Sequence, residues 1–181
     1  MKKTFIIIVI MFNFFNKASA NYTKLAHNFE FKSIDGQSIK ISDYKEKVIL
    51  IVNVASRCGF TKQYDDLQNL WTNYKDKGLI VIGVPTDNFR QEPGTNKEIK
   101  DFCEANFGID FPLTEKTNVI GNASHPFFIW AKKNYGRSAI PKWNFHKIII
   151  GKNGKVVNTF ASITRPSASK FIKVIDQELK N

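Results

Sequence analysis

The chain has few of the residues that build metal centres or disulfide frameworks. Its 181 residues include two cysteines, Cys58 and Cys103, and three histidines. His27, His125 and His146 are scattered without metal-ligand spacing and no Cys-x-x-Cys occurs, which argues against a zinc site. Two cysteines permit one intramolecular connectivity, so a structural bridge stays open as a reading. Acids are scarce as well: 16 Asp and Glu stand against 27 Lys and Arg, for a formal net charge of +11. The lysines are spread along the chain and no basic-plus-aromatic motif stands out, so no nucleic-acid partner is expected. A diffuse positive surface favours only weak attraction to anionic lipid or acidic partners. Repeats and low-complexity segments are absent. After the N-terminus no apolar run is long enough to span a membrane.

What is present is the composition of an ordinary soluble domain, 43% hydrophobic and 24% charged, at a length suited to one core. The first twenty residues stand apart. Lys2 and Lys3 precede an apolar run from Phe5 to Phe15, broken at Asn13, and Ala18 and Ala20 form an Ala-x-Ala end. That is the layout of a secretory signal peptide, with cleavage expected after Ala20 and a single domain over 21–181. An uncleaved anchor is disfavoured, because the apolar run is far shorter than the ~20 residues a spanning helix needs. The expected location is therefore periplasmic or secreted, an oxidising setting in which a disulfide is permissible.

"FEFKSIDGQSIKISDY" alternates apolar and polar residues around Asp35-Gly36 and predicts a hairpin. "KVILIVNVA" predicts a strand buried on both faces, and Tyr64, Leu67, Trp71 and Tyr74 mark one face of the next helix, ended by Gly78. "LIVIGVP" is a second buried strand, completing a crossover unit. Thr95 and Glu98 fit a capping box opening a helix that carries Ile99, Phe102 and Cys103 and closes at Gly108. A short helix around "HPFFIWAKKNYG", a hairpin turning on Asn153-Gly154 and a last helix opened by Pro166 follow. The sum is a one-domain α/β fold with helices on both faces of a sheet. Sites in such folds gather at the carboxyl ends of strands, which is where Cys58 falls. On its own, Cys58 reads equally as half of a bridge, a core residue or a reacting atom.

"VNVASRCGFT", "QEPG", "FCEANFGIDFP" and "WNF", in this order, resemble the glutathione peroxidase family over about Phe29 to Leu179. The likeness is to its cysteine-containing, thioredoxin-dependent, phospholipid-hydroperoxide-like type. The resemblance implies a thioredoxin-like fold, a central mixed sheet flanked by helices, with an N-terminal β-hairpin. It implies Cys58 as the peroxidatic residue, Gln91, Trp143 and Asn144 as its companions, and Cys103 as the resolving cysteine. Hydrogen peroxide and organic or lipid hydroperoxides are the implied substrates, with a thioredoxin-like dithiol or glutathione as reductant and no cofactor. The chain departs from the family pattern at "VPTDNFR", where members commonly carry a cysteine, and its loop is one residue shorter before Gln91. It lacks the long insertion ahead of "WNF" that mediates tetramer contacts in some members, which implies a monomer.

The chemistry asks for a thiolate, while a free cysteine with a pKa near ~8.5 is mostly protonated at neutral pH. A strand-to-helix position offers unpaired N–H groups and a helix dipole. The Gln91 amide, the Trp143 indole and the Asn144 amide or backbone add neutral donors. Peroxide attack would leave a sulfenic acid, which Cys103 would convert to a Cys58–Cys103 disulfide. Cys103, packed beside Ile99 and Phe102, is expected to need local unwinding of its helix to reach Cys58. The competing reading is an exported thiol–disulfide relay or redox sensor using the same two cysteines.

Overall fold

The computed structural model describes residues 22–181; the expected signal peptide lies outside the described residues. Glu30–Lys32 (β1) and Ser38–Lys40 (β2) form the N-terminal hairpin around Gly36, whose φ of +87° explains the glycine after Asp35. Val48–Val54 (β3) is buried at every position, so its sequence has no reason to alternate. Gln63–Tyr74 (α1) follows, with Tyr64, Leu67 and Leu70 buried, and a 3-10 turn over Lys75–Lys77 ends at Gly78 with φ +100°.

Leu79–Pro85 (β4) pairs with β3 in parallel, so both strands finish at one edge, Val54 opposite Pro85. Asn96–Phe107 (α2) has Thr95 as its N-cap with the reciprocal Glu98 contact, and left-handed Gly108 as its C-cap. Pro126–Tyr135 (α3) starts on proline, and His125 Nδ1 accepts from Phe127 N–H. Lys147–Ile150 (β5) runs antiparallel to β3, with Val52 opposite Lys147. Val156–Phe160 (β6) pairs with β5, giving the order β4-β3-β5-β6. The mixed sheet that was expected is present.

Alternation on the strands divides the core. Leu50, Val52, Val54, Val81 and Ile149 pack with α1, α2 and the final helix, Ser169–Lys180 (α4), through Leu67, Ile99, Phe171 and Ile175. Ile49, Ile51, Ile82, Ile148 and Ile150 meet α3 and the N-terminal hairpin on the other face. Pro166 lies ahead of α4 rather than in its first turn. It sits in a separate turn closed by Ala168 N–H to Arg165 O, and the helix starts only at Ser169.

Candidate active site

Three chain segments meet at the edge where β3 and β4 end. The antiparallel sense of β5 brings the residues before Lys147 to the same edge. Cys58 stands four residues beyond β3 and is buried, 4% exposed. Its Sγ accepts from Phe60 N–H at 3.5 Å. Among the described residues no other donor reaches Sγ in hydrogen-bond geometry, so Gln91, Trp143 and Asn144 do not bond it directly. The helix dipole contributes less than its position in sequence suggests. α1 begins at Gln63, five residues past Cys58, and its first turn carries Asp65 and Asp66. Dipole effects fade within about one turn. The turn over residues 58–61 supplies the sulfur's donor instead, closed by Thr61 N–H to Cys58 O.

The Gln91 loop is tied to the residues just before Cys58. Arg57 N–H donates to Gln91 O at 3.0 Å. Ser56 donates to Glu92 Oε2 twice, from its N–H at 2.7 Å and its hydroxyl at 3.0 Å. Glu92 is itself buried. Burial pushes its carboxyl up, while the Ser56 bonds and nearby Lys116 work in the opposite direction. Asp87 Oδ1 accepts from Glu92 N–H, and Asn88 Oδ1 accepts from Val119 and Ile120 N–H. This chain's own "TDN" thus closes the shortened loop.

Asn144 is fully buried and donates through Nδ2 to Gln91 Oε1 at 2.8 Å. That bond occupies the Gln91 carbonyl and leaves its amide N–H groups as donors. Trp143 is 41% exposed, with its ring 5.5 Å from that of Phe89. Asn53, near the end of β3, holds this segment from below. Its Nδ2 donates to Trp143 O, its Oδ1 accepts from His146 N–H, and its backbone O accepts from Phe145 N–H. Phe145 adopts φ +61° and Arg90, beside Gln91, φ +57°. Left-handed backbone at non-glycine residues costs of order 1–3 kcal/mol, and persists only where surroundings over-determine it. Here one such residue adjoins each of the two polar companions.

Cys103 lies on the buried face of α2, in the core that also holds Cys58, and both thiols are free. Burial pushes the Cys103 thiol up to about 11. The Tyr64 hydroxyl makes no hydrogen bond of ordinary geometry, yet it and Cys103 are close enough to shift each other's proton affinity. Between the Cys58 loop and α2 opens a cavity of about 300 Å³, lined by Arg57, Glu92, Glu98, Ile99 and Phe102 among others.

Gln91 and Asn144 are therefore in contact, Gln91 is bonded to the residue preceding Cys58, and Trp143 joins through Asn53. Two positioning residues escaped the sequence reading, Asn53 and Glu92. Each sits inside a quoted motif, "VNVAS" and "QEPG", but a buried polar residue in an apolar strand was the one local sign available for Asn53.

Comparison with known proteins identifies the family and the fold. The glutathione peroxidase family model matches residues 26–132. Glutathione peroxidase-like peroxiredoxin 2 of Saccharomyces cerevisiae is 41% identical over 160 residues, covering 86% of this chain and 94% of its own. Hydroperoxy fatty acid reductase gpx1 of Synechocystis is 42% identical over 158 residues, covering 82% and 92%. The crystal structure of Trgpx in apo form superposes with a TM-score of 0.70 at 32% identity, covering 88% of this chain and 97% of that one. A thioredoxin-family thiol:disulfide interchange protein of Chlorobium tepidum, at 16% identity and a TM-score of 0.63 over 83% and 92%, shares the fold alone. The fold is thioredoxin-like with an added N-terminal hairpin, and the chain belongs to the glutathione peroxidase family.

Proposed function

We propose that the protein is a thiol peroxidase in which the Cys58 thiolate attacks the terminal oxygen of a hydroperoxide. The S–O bond forms as the O–O bond breaks, Cys58 becomes a sulfenic acid, and the departing alkoxide or hydroxide takes a proton. The observation that carries this reading is the linked set Arg57 N–H to Gln91 O and Asn144 Nδ2 to Gln91 Oε1. It ties Gln91 to the residue before Cys58 and leaves the Gln91 amide N–H groups free to donate. In this reading Gln91, Asn144 and the half-exposed Trp143 hold the peroxide and stabilise the charge on the leaving oxygen, as neutral donors do in an oxyanion hole. The names of the two curated relatives support peroxides, organic hydroperoxides included, as the substrate class.

Cys103 then displaces the hydroxyl of the Cys58 sulfenic acid as water, forming a Cys58–Cys103 disulfide that an external dithiol reopens by exchange. At about 11, the buried Cys103 thiol is protonated at neutral pH, so this step follows opening of α2. The relay reading draws on the same feature, since slow resolution prolongs the sulfenic acid. The reading extends to export with cleavage after Ala20, a monomer, and weak contact with membrane surfaces. The layout of the first twenty residues supports export, the absent insertion ahead of "WNF" supports the monomer, and the net charge supports the weak surface contact.

The decisive experiment is peroxide turnover with thioredoxin or glutathione on the wild type, Cys58→Ser and Cys103→Ser. Cys58→Ser is expected to abolish turnover, and Cys103→Ser to abolish the thioredoxin-supported part. Full thioredoxin-driven turnover by Cys103→Ser overturns the resolving role. Reduced wild type that consumes peroxide no faster than free cysteine in stopped flow overturns the peroxidase in favour of the relay. Intact mass of the exported protein tests cleavage.

A further inference from the structure

Lys147 has no place in the reaction just described, yet it is the one fully buried lysine or arginine among the described residues. Among the described residues no carboxylate bonds it. Its Nζ donates to Gln63 Oε1, to Thr164 O at 2.7 Å and to Ser162 O at 3.5 Å. The other end of the Gln63 amide donates to the same Ser162 O at 2.7 Å, and Gln63 is also buried. The knot thus joins three segments: the start of β5, the first residue of α1, and the loop after β6. Arg165 fastens that loop to α1 a second time through a two-point pair with Asp66, at 2.7 and 3.0 Å.

The location decides what the knot can do. Lys147 is three residues after Asn144, and Gln63 is five residues after Cys58. Lys147 stands opposite Val52, so it lies on the sheet face that carries Val54, Cys58 and Tyr64. Burying an ion is costly, and amide and carbonyl acceptors can be satisfied by a neutral donor without that cost. Stability alone therefore does not call for a charged residue here. Three acceptors arranged around three N–H groups account for a fixed geometry.

We propose that Lys147 is a positioning residue for the peroxidatic site, holding the first turn of α1, and with it the Cys58 turn, in register with Trp143 and Asn144. The ammonium form satisfies all three acceptors, whereas the neutral amine directs a lone pair at one of them. Burial pushes this amine down to about 7, with Asp66 of α1 pulling the other way. The charged groups around it are that Asp66, its partner Arg165 on the loop, and neighbouring His146 in the chain, itself pushed down by burial. Near neutral pH the knot sits close to its titration point, and Cys58 reactivity should register it.

The inference rests on Cys58 being the reacting thiol, so the test separates the two. The full chain is measured as wild type, Lys147→Met and Gln63→Met. The readouts are melting temperature, the rate of the first reaction with hydrogen peroxide, and the pH profile of Cys58 alkylation by iodoacetamide in a Cys103→Ser background. Lys147→Met strands Gln63 Oε1 and Thr164 O, so a lower melting temperature is expected. Loss of register at the site is expected to lower the peroxide rate of the folded variant about tenfold or more. The wild-type alkylation profile is expected to show an inflection near pH 7 that Lys147→Met lacks. Gln63→Met keeps the charge but loosens the knot, and is expected to slow peroxide attack as well. It also serves if Lys147→Met does not fold. Peroxide rates and alkylation profiles that superimpose on wild type in the folded variants overturn the proposal. Wild type that ignores peroxide overturns the peroxidase reading instead, while the alkylation profiles still report on Lys147.

Discussion

Asn53 commits its whole side chain to the segment bearing Trp143 and Asn144, one end donating and the other accepting. Asn53→Ala would leave the Trp143 carbonyl and the His146 N–H without partners. A buried group stranded in this way costs about 1–3 kcal/mol, and left-handed Phe145 would lose a brace. The variant is expected to be destabilised by about that amount in urea unfolding, and to lose peroxide rate beyond it because the turn relaxes. Glu92 makes the opposite kind of case. A carboxyl raised in the folded state lowers stability above its folded pKa, and the penalty lifts as pH falls through that value. Glu92→Gln keeps an acceptor for Ser56 without the buried charge. Its urea midpoint is expected to exceed that of wild type near neutral pH, with the difference shrinking toward about pH 4. A midpoint lower at every pH would show that the Ser56 bonds need the carboxylate.

At the level of elements, the proposed resolving step asks α2 to be both a shelter for Cys103 and a door. Its fully buried residues are just Ile99 and Cys103, and its surface pairs, such as Lys97–Asp101, are exposed and worth little. Thr95 supplies the cap, so Thr95→Ala should cost about 1 kcal/mol of helix stability and speed labelling of Cys103 about fivefold. Alkylation of Cys103 in a Cys58→Ser background measures this, and an unchanged rate would mean that the thiol is reached without opening α2. The cap, the closing glycine and the buried face of this helix were all legible, because they are local signals within one short stretch. The same holds for β3, β4 and the hairpins at Asp35-Gly36 and Asn153-Gly154. What escaped is what depends on partners far along the chain. Asn53 looks like an interruption in an apolar strand until the segment 90 residues away lies against it. Lys147 reads as a solvated lysine at a strand start until Gln63, 84 residues away, is packed on it. The helix dipole contributes less at Cys58 than its place in the sequence implies for a related reason: the sequence does not reveal how many turn residues precede α1.

Across the whole molecule, all three histidines are held below their ordinary range, each chiefly by burial, and His146 falls to about 4. Groups whose folded pKa is depressed take up protons more readily when unfolded. Stability is therefore expected to fall as pH drops from about 6.5 through 4, even though the protein is strongly basic. His146 is buried and could account for up to about 3 kcal/mol of that loss, so His146→Gln should flatten the acid limb of the stability curve. Urea midpoints across this range check it, and an acid limb unchanged by the substitution would place the loss elsewhere. The antiparallel pairing of β3 with β5 also sets a schedule. Cys58 is synthesised long before Trp143 and Asn144, and the edge it shares with them is complete only once the last third of the chain has folded back onto β3. Until then the nascent chain carries a cysteine without its neighbours, open to indiscriminate oxidation. The yield of active protein should therefore depend on how reducing the surroundings are while the chain is being made.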